Sequence, residues 1–507
     1  MARNFAQSLL DSGQFTLTYE LVPSRGGRGK MHERAMALAL DAAADGRLQA
    51  VSITENAGGH PVLSPEVLGS EIKQMGLDVI IHLSCKDKNR NQMESLLFAW
   101  DRENLHNLLV ITGDYPQQGY RGNPKPVFDL GAIHALDLIG RLNCEQDGFD
   151  RRNPAVKSYH PTTFFKGVAV SPFKHLEAEV MMQYYKLHRK EENGADYIIT
   201  QVGYDARKFD ELLRYMKQTH IDLPVLGNVF IPNVSVARMM NAGKIPGCVV
   251  TDEFLALMEG ESQGPDQGRK ARLVRGAKLM SVLRGLGYDG AHIGGPGLTY
   301  EDLAFLIERS QQYDRDWQAL VPELAFWPRE SFHVFEKSAN GLNEDVPTKH
   351  AGSFGKSVHY RMSEAMHNAM FEEDGIIYGP AKKICLHFDS GSLATAFSGL
   401  EHFIKFLLYR CRNCGDCTLS ELSYICPQRG CAKYLLNGAC GGSRNGWCEV
   451  YPGRRRCFYV RVYERLKAAG IDEVMKSGFV PPRDWSLNNT SSWINFYKGL
   501  DHTNPRK

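Results

Sequence analysis

The sequence lacks several features that would assign it to a specialised class of protein. Its first residues, MARNFAQSLLDSG, contain no apolar run long enough for a signal peptide, and no membrane span follows. Its net charge of +2 at pH 7 gives no reason to expect a nucleic-acid partner, and the run Arg454–Arg456 is interpreted as a solvated loop. Internal repeats and low-complexity segments are absent. We therefore expect a cytoplasmic protein that binds neither nucleic acid nor membranes.

Cysteine is scarce over most of the chain and crowded in one short segment. Four residues, Cys85, Cys144, Cys248 and Cys385, are scattered, and we interpret each as a small apolar residue in the interior. The other eight of the twelve lie between residues 411 and 457. A disulfide-stapled module would need an oxidising compartment, which nothing in the sequence indicates.

The crowded cysteines indicate a metal site. The series begins Cys411-Arg-Asn-Cys414-Gly-Asp-Cys417, and thiolates at this spacing can reach one centre, as iron–sulfur and zinc sites both require. Eight thiols are enough for two four-cysteine sites. The candidate metal ligands are Cys411, Cys414, Cys417, Cys426, Cys431, Cys440, Cys448 and Cys457.

Length and composition indicate a globular enzyme of two or three domains, with 507 residues, 43% hydrophobic and 23% charged. From about residue 15 to 295, β-rich runs alternate with helical periods. The predicted strands are Phe15–Leu21, Ala50–Thr54, Asp78–Leu83, Leu108–Thr112, Gly167–Val170, Tyr197–Gln201, Pro224–Val229 and Gly290–Ile293. Eight such units predict an α/β fold, a (β/α)8 TIM barrel. A doubly wound open sheet is the alternative, but no Gly-x-Gly-x-x-Gly turn follows the first strand.

The predicted domains are the barrel at residues 1–312, a connecting or wrapping segment at 313–394, and a cysteine-rich metal-binding α+β domain at 395–507, which ends in a C-terminal tail expected to be irregular. A helix is predicted at 395–410, directly before the first cysteine. Catalytic groups of such barrels lie at the C-terminal ends of the strands. The polar residues at those positions are Glu20, Thr54, His82, Asp114, Gln201 and Asn228. Glu20 is the sharpest candidate, because a carboxylic acid on a buried strand needs a partner or a chemical task.

Five segments at these strand ends carry a resemblance to a known family. They are Tyr19-Glu-Leu-Val-Pro, Val51-Ser-Ile-Thr, His82-Leu-Ser-Cys, Ile111-Thr-Gly-Asp-Tyr-Pro and Gly194-Ala-Asp-Tyr-Ile-Ile-Thr-Gln. In this order they resemble the methylenetetrahydrofolate reductases over roughly residues 15–295. The cysteine-rich end, with Asn437-Gly-Ala-Cys-Gly-Gly and Gly446-Trp-Cys-Glu-Val, resembles the reductase-associated C-terminal domain of some bacteria and the small iron–sulfur or zinc subunit of acetogens.

The resemblance implies a flavoenzyme of one-carbon metabolism. It would bind FAD, with FMN as the alternative, and reduce 5,10-methylenetetrahydrofolate to 5-methyltetrahydrofolate or run the reverse oxidation. Glu20 occupies the general-acid position, where a carboxylic acid with a raised pKa would protonate the departing nitrogen. Asp114 matches the acidic residue between flavin and pterin, and Gln201 matches the residue that binds the pterin. Positions matching flavin contacts are Thr54, His82, Gly113, Asp114, His175, Arg189 and Lys190.

Departures from the family pattern affect the electron donor rather than the folate chemistry. The stretch from Asn228 to Val236 is altered where simpler reductases place the aromatic residue that stacks on nicotinamide. One or two [4Fe–4S] clusters would then deliver electrons from ferredoxin or a partner flavoprotein, with NAD(P)H as the alternative donor and zinc as the alternative metal at one site. A homo-oligomer is expected.

Two other functions compete with this interpretation. A pterin- or corrinoid-dependent methyltransferase is also built on a (β/α)8 barrel but needs no flavin. A non-catalytic scaffold would use its cysteines to bind zinc and a partner. The joint presence of Glu20, Asp114 and Gln201 argues against the scaffold.

Overall fold

The computed structural model describes residues 4–11, 13–144, 160–349, 355–388 and 391–504. Eight parallel strands close into a barrel in sequence order, with the first strand paired to both the second and the eighth. The strands are β1 Thr16–Leu21, β2 Ala50–Ile53, β3 Asp78–Ser84, β4 Asn107–Ile111, β5 Phe165–Val170, β6 Tyr197–Thr200, β7 Val225–Phe230 and β8 Gly290–Gly294. The predicted (β/α)8 barrel is confirmed, and each predicted strand end lies within two residues of the observed one.

Helices surround the barrel and connect its strands. They are α1 Phe5–Leu10, α2 Lys30–Asp45, α3 Pro65–Gln74, α4 Arg90–Arg102, α5 Ala132–Asn143, α6 Glu177–Glu192, α7 Ala206–Gln218, α8 Val234–Asn241, α9 Asp252–Glu261, α10 Arg269–Leu286 and α11 Tyr300–Gln311, with a short 3-10 turn at Ala57–Gly59. Their apolar stripes pack against the outward face of the strands and form the main core. None of the helices in the described ranges is both long and apolar enough to cross a bilayer.

The interior of the barrel changes from apolar to polar along its axis. At one end Phe5 of α1 packs edge-on against Phe165 and Tyr197, which closes that end of the barrel. The middle is filled by small and branched side chains such as Ala50 and Leu226. Toward the C-terminal ends of the strands, buried hydroxyl and imidazole groups replace them. A polar site therefore lies above an apolar plug.

The chain after the barrel is mostly helical. A 3-10 segment, Asp314–Leu324, packs on α10, and β9 Phe335–Lys337 pairs antiparallel with β10 Asn343–Pro347. The helices are α12 Val358–Phe371, α13 Tyr378–His387, α14 Ser392–Tyr409, α15 Pro427–Gly430, α16 Phe458–Ala469 and α17 Ser492–Tyr497, with 3-10 turns at Asp472–Met475 and Trp485–Leu487.

Two expectations for this part differ from the structure. The small domain was expected to be α+β, but over residues 391–504 helices are joined by loops, and isolated bridges at Arg444, Trp447 and Arg456 take the place of strands. The tail is ordered rather than irregular, because α17 buries Ile494 and Tyr497 against the apolar face of α13.

The C-terminal region packs directly on the barrel, beside α5 and α6. Helix α16 lies along α6, and the amide of Gly446 donates to the Glu179 carboxylate at 2.9 Å. Lys186 of α6 donates to the carbonyl of Ala439 at 2.9 Å. On α5, His134 Nε2 lies 2.7 Å from the carbonyl oxygen of Val480. The cysteine loops are thereby held over the mouth of the barrel.

Candidate functional site

A cavity of about 850 Å³ opens at the C-terminal ends of the strands. Its size is that of a site for a cofactor together with a substrate. All six polar strand-end residues named from the sequence line it, namely Glu20, Thr54, His82, Asp114, Gln201 and Asn228. Residues from the C-terminal region close one side of the cavity: Lys433, Ala439, Cys440, Gly441, Gly442, Glu449, Val450 and Tyr451.

Glu20 near the end of β1 faces an imidazole that the sequence analysis missed. His292 of β8 is buried, and its Nε2 lies 3.6 Å from a carboxylate oxygen of Glu20. Its other nitrogen, Nδ1, lies 2.8 Å from the hydroxyl of Thr18, which fixes the ring orientation. Because β1 and β8 are adjacent only when the barrel closes, no local pattern in the sequence brings these residues together.

The protonation of Glu20 differs from the expectation. Burial acts to raise the pKa of Glu20, but the hydrogen bond and charge of His292, with a smaller contribution from His82, outweigh it and hold the pKa below its ordinary value. The predicted raised pKa is therefore wrong for this structure. The neighbouring imidazole thus favours the ionised form of the Glu20 carboxylate.

His82 of β3 provides a second buried imidazole beside Glu20. Its Nε2 lies 2.7 Å from the hydroxyl of Ser52, and burial lowers the pKa of His82 to about 4 despite the nearby charge of Glu20. The ring is consequently neutral at physiological pH. A neutral imidazole can donate or accept one hydrogen bond to a heterocycle without adding charge.

Asp114 lies in the turn after β4, and a glycine makes that turn possible. Gly113 has φ of 82°, and a Cβ at this position would lie 2.0 Å from the Ser84 hydroxyl oxygen. The turn lets the amide of Gly58 donate to Asp114 Oδ2 at 2.9 Å. Burial raises the pKa of Asp114, and the positive charge of Lys433 only partly opposes this.

The C-terminal region contributes an ion pair to the cavity. Lys433 Nζ donates to the carbonyl of Gly113 at 2.7 Å and pairs with the buried carboxylate of Glu449. Glu449 also accepts from the thiol of Cys440 at 3.3 Å. One lysine thus links the Asp114 turn, an acidic side chain and a cysteine over the barrel mouth.

Gln201 and its neighbours present polar atoms to the cavity. The Gln201 carbonyl oxygen accepts from the amide of Val202 at 2.9 Å, and its amide nitrogen is directed toward Gly247. Three buried atoms that belong to cavity-lining residues have no hydrogen-bond partner in the described structure: Thr54 Oγ1, Ser171 Oγ and Asn228 Oδ1. Buried polar atoms without partners are costly, so their presence here indicates a polar ligand.

The predicted flavin contacts divide into two groups. Thr54, His82, Gly113, Asp114 and Lys190 line the cavity, and Lys190 also donates to the carbonyl of Ala169. His175 and Arg189 do not line it. The His175 ring stacks on Trp327 with ring centroids 4.7 Å apart. The Arg189 guanidinium is directed toward the C-terminal region, where it donates to Val474 at 3.4 Å.

The eight crowded cysteines separate into two groups of four. In the first group, Cys411, Cys414, Cys417 and Cys426 border one small cavity, and their charges act on one another's pKa. Arg483 Nη1 lies 2.9 Å from Cys414 Sγ, and the amide of Asn413 donates to Cys411 Sγ at 3.3 Å. Donors directed at sulfur stabilise thiolates.

The second group consists of Cys431, Cys440, Cys448 and Cys457, which are also coupled through their charges. Burial raises the pKa of Cys457 to about 12, so its free thiol is protonated at neutral pH. Cys440 of this group lines the same cavity as Glu20 and Asp114. The scattered Cys385 belongs to neither group and packs beside α17.

One compact group of possible metal ligands in the described part of the chain lies outside the two cysteine groups. It consists of Asp416, Asp501 and His502, whose ligand atoms lie within 4.8 Å of one another. Zinc sites and four-iron clusters both use four thiolates, so the two groups of four cysteines fit either metal.

Comparison with known proteins identifies the family of this chain. The sequence profile of the family described as methylenetetrahydrofolate reductase matches residues 5–281. The chain belongs to the methylenetetrahydrofolate reductase family. A second profile, described as the methylenetetrahydrofolate reductase C terminal, matches residues 391–486 and covers all eight crowded cysteines. The family resemblance inferred from the strand-end segments is confirmed.

Individual relatives are distant and differ in how much of their length is shared. Methylenetetrahydrofolate reductase 2 of Saccharomyces cerevisiae is 26% identical over 186 residues, which are 36% of this chain and 28% of the yeast protein. The 5,10-methylenetetrahydrofolate reductase of Salmonella typhimurium is 23% identical over 291 residues, which are 56% of this chain and 86% of that enzyme. The cysteine-rich region lies outside the residues matched by the reductase profile.

Proposed function

We propose that this protein interconverts 5,10-methylenetetrahydrofolate and 5-methyltetrahydrofolate in the barrel mouth, with a bound flavin as redox cofactor. The observation that carries the proposal is that Glu20, Asp114 and Gln201 line one cavity. In the matched members of the family, the curated names state methylenetetrahydrofolate reduction. The chemistry of the three side chains fits that reaction.

The proton transfer is assigned to the Glu20–His292 pair. Opening the bridging ring of the substrate requires a proton on the departing nitrogen, and a carboxylic acid in the cavity supplies it. His292 lies 3.6 Å from Glu20 and favours the ionised carboxylate that remains once the proton has been donated. Thr18 keeps the imidazole directed at the carboxylate. The pair therefore acts as donor in one direction and acceptor in the other.

Gln201 and Asp114 are assigned to binding of the pterin. A primary amide offers a donor and an acceptor, and a carboxylate accepts two hydrogen bonds, which together match the edge of such a heterocycle. The rigid turn at Gly113 and the Gly58 amide hold Asp114 in place before the substrate arrives. Prior positioning of this kind lowers the entropy lost on binding.

The chain also fits a flavin in the same cavity. The unpartnered oxygens of Thr54, Ser171 and Asn228 offer hydrogen bonds to a polar ring system. Lys190 lines the cavity, and burial lowers its pKa well below the ordinary value; a phosphate beside it would favour its charged form. When bound, the flavin supplies hydride transfer. FAD is the cofactor typical of the family, with FMN as the alternative.

The two cysteine groups are assigned to [4Fe–4S] clusters. Their number and their division into fours fit two four-cysteine clusters, with zinc as the alternative metal at one site. Because Cys440 lines the same cavity as Asp114, a cluster at the second group would lie beside the flavin site. Bound clusters supply one-electron transfer, so ferredoxin or a partner flavoprotein is the expected donor, and NAD(P)H is the alternative.

Purification without air, followed by measurement of flavin, iron and zinc per chain, tests the proposal. Flavin with about eight irons, together with oxidation of 5-methyltetrahydrofolate by an artificial acceptor, supports it. A protein that contains flavin and zinc but no iron would contradict electron delivery through iron–sulfur clusters, and NAD(P)H would then be the expected donor. A protein without flavin that transfers methyl groups to a corrinoid would contradict the reductase assignment itself.

A further inference from the structure

A second cavity, of about 440 Å³, lies in the C-terminal region beside Cys426. Its other lining side chains include Tyr409, Tyr424 and His359, and no carboxylate is among the described residues that line it. We call it the arginine cavity, because five guanidinium groups converge on it: Arg410, Arg429, Arg455, Arg461 and Arg465. It lies outside the barrel and has no part in the proposed folate chemistry.

The positive charge of the arginine cavity is largely uncompensated. In the described part of the chain, the guanidiniums of Arg410, Arg429 and Arg461 make no hydrogen bond and no ion pair. Arg465 donates only to main-chain carbonyls, at 3.0 Å to Ser423 and 3.3 Å to Tyr424. Several guanidiniums around one concavity are suited to a ligand that carries several carboxylates or phosphates.

The arginine cavity shares a wall with the barrel-mouth cavity. The Arg455 guanidinium carbon lies 4.4 Å from the centroid of the Tyr451 ring, and the Arg455 amide donates to the carbonyl of Tyr451 at 3.1 Å. Arg455 lines the arginine cavity, whereas Tyr451 lines the barrel mouth. A flexible anionic chain that leaves the mouth past Tyr451 therefore meets Arg455, which lines the arginine cavity.

We propose that the arginine cavity binds the oligo-γ-glutamyl tail of the folate substrate. This rests on the proposed function, which places the pterin at Asp114 and Gln201 in the neighbouring cavity. Each γ-linked glutamate adds one carboxylate on a flexible chain, which matches a cluster of arginines whose cavity is lined by no carboxylate among the described residues. The tail of one substrate molecule would thus join two cavities that are separated by a single tyrosine–arginine contact.

The test compares binding of 5-methyltetrahydrofolate carrying one glutamate with the form carrying five, by calorimetry on the full-length, cofactor-loaded protein. For the wild type, we expect the pentaglutamate to bind roughly tenfold or more tightly, with a difference that shrinks at high salt. The double variant Arg429→Gln/Arg461→Gln should bring the affinity ratio close to one. Both side chains are exposed, so their loss should not unfold the chain.

A matched control and a competitor separate the outcomes. Arg102→Gln removes an exposed arginine at the end of α4 that lines neither cavity, and should leave the affinity ratio unchanged. Inorganic tripolyphosphate should weaken binding of the pentaglutamate form and leave binding of the monoglutamate form unchanged. Equal affinity of both forms for the wild type, or a ratio unchanged in the double variant, overturns the tail site. If neither form binds, the proposed function itself has failed.

Discussion

His292 Nε2 lies 3.6 Å from the carboxylate of Glu20, although 272 residues separate the two along the chain, the difference between positions 292 and 20. The pair forms because β8 returns to β1 when the barrel closes. Thr18, two residues before Glu20, fixes the ring through a 2.8 Å hydrogen bond. A charge partner at this distance favours the ionised carboxylate, so His292 sets the pH range over which Glu20 holds a proton.

Substitution of Glu20 and substitution of His292 should therefore affect the reaction in different ways. Glu20→Gln keeps the shape of the side chain but removes its proton, and should lower single-turnover folate reduction by about 10² to 10⁴-fold. In His292→Gln the lowering effect on the pKa of Glu20 is lost while its burial remains. Glu20 then stays protonated to higher pH, and the alkaline limb of the pH–rate profile should move upward. His220→Gln, at an exposed turn, is the control and should leave the pH–rate profile unchanged. If the alkaline limb of the profile does not move in His292→Gln, His292 does not control the pKa of Glu20.

The sequence predicted the barrel and the strand-end residues because both depend on local patterns. Strands and helices alternate with clear periodicity, and the ends of parallel strands in a barrel must meet at one face. His292 escaped notice because its role depends on a neighbour that only barrel closure provides. Lys433 and Glu449 escaped it because they reach the mouth from a segment that starts more than a hundred residues after the last barrel strand.

The sequence also did not predict how the eight crowded cysteines divide into two groups of four. Spacing grouped Cys411, Cys414 and Cys417, but the fourth member could have been any later cysteine. Helix α15, which begins at Pro427 directly after Cys426, turns the chain so that Cys426 joins the first group and Cys431 the second. His175 and Arg189, predicted as flavin contacts, do not line the cavity for a related reason. Their side chains are engaged by Trp327 and Val474, which belong to segments outside the barrel.

The two cysteine groups predict separable metal contents. Cys426→Ser removes a ligand of the first group only, and Cys440→Ser removes a ligand of the second only. Each should lower the metal content per chain by about half, because four thiolates are needed for each cluster. Cys385→Ser lies outside both groups and should leave the metal content unchanged. Elemental analysis of protein purified without air measures this, and loss of all metal in either single variant would show that the groups are not independent.

Gly113 should be intolerant of any side chain. In Gly113→Ala the new Cβ would meet the Ser84 hydroxyl oxygen at 2.0 Å, in a backbone conformation with φ of 82°. We expect the unfolding free energy to fall by about 1–3 kcal/mol and folate binding to weaken, because the Asp114 turn must move. Removing the hydroxyl in Gly113→Ala/Ser84→Ala relieves the closest contact and should recover part of the loss. Chemical denaturation of the four proteins measures the coupling, and strictly additive effects would contradict the contact.

His134 should make the attachment of the C-terminal region sensitive to acid. Burial lowers the pKa of His134 to about 4, partly opposed by its hydrogen bond to the carbonyl of Val480. The unfolded chain binds the proton near pH 6.5, so the folded state is fully favoured above that pH and loses stability as the pH falls from 6.5 toward 4. The difference between the two pKa values corresponds to a decrease of about 3 kcal/mol in the free energy of unfolding across this pH range.

The substitution His134→Gln isolates this contribution, because glutamine keeps a donor for Val480 and an acceptor for the amide of Gly131 but does not titrate. Denaturation midpoints measured at neutral pH and at pH 5 should therefore differ less for the variant than for the wild type. His82 has a similarly low pKa and titrates in both proteins, so some acid sensitivity must remain in the variant. Equal pH dependence in the two proteins would mean that His134 takes up its proton without weakening the contact with Val480.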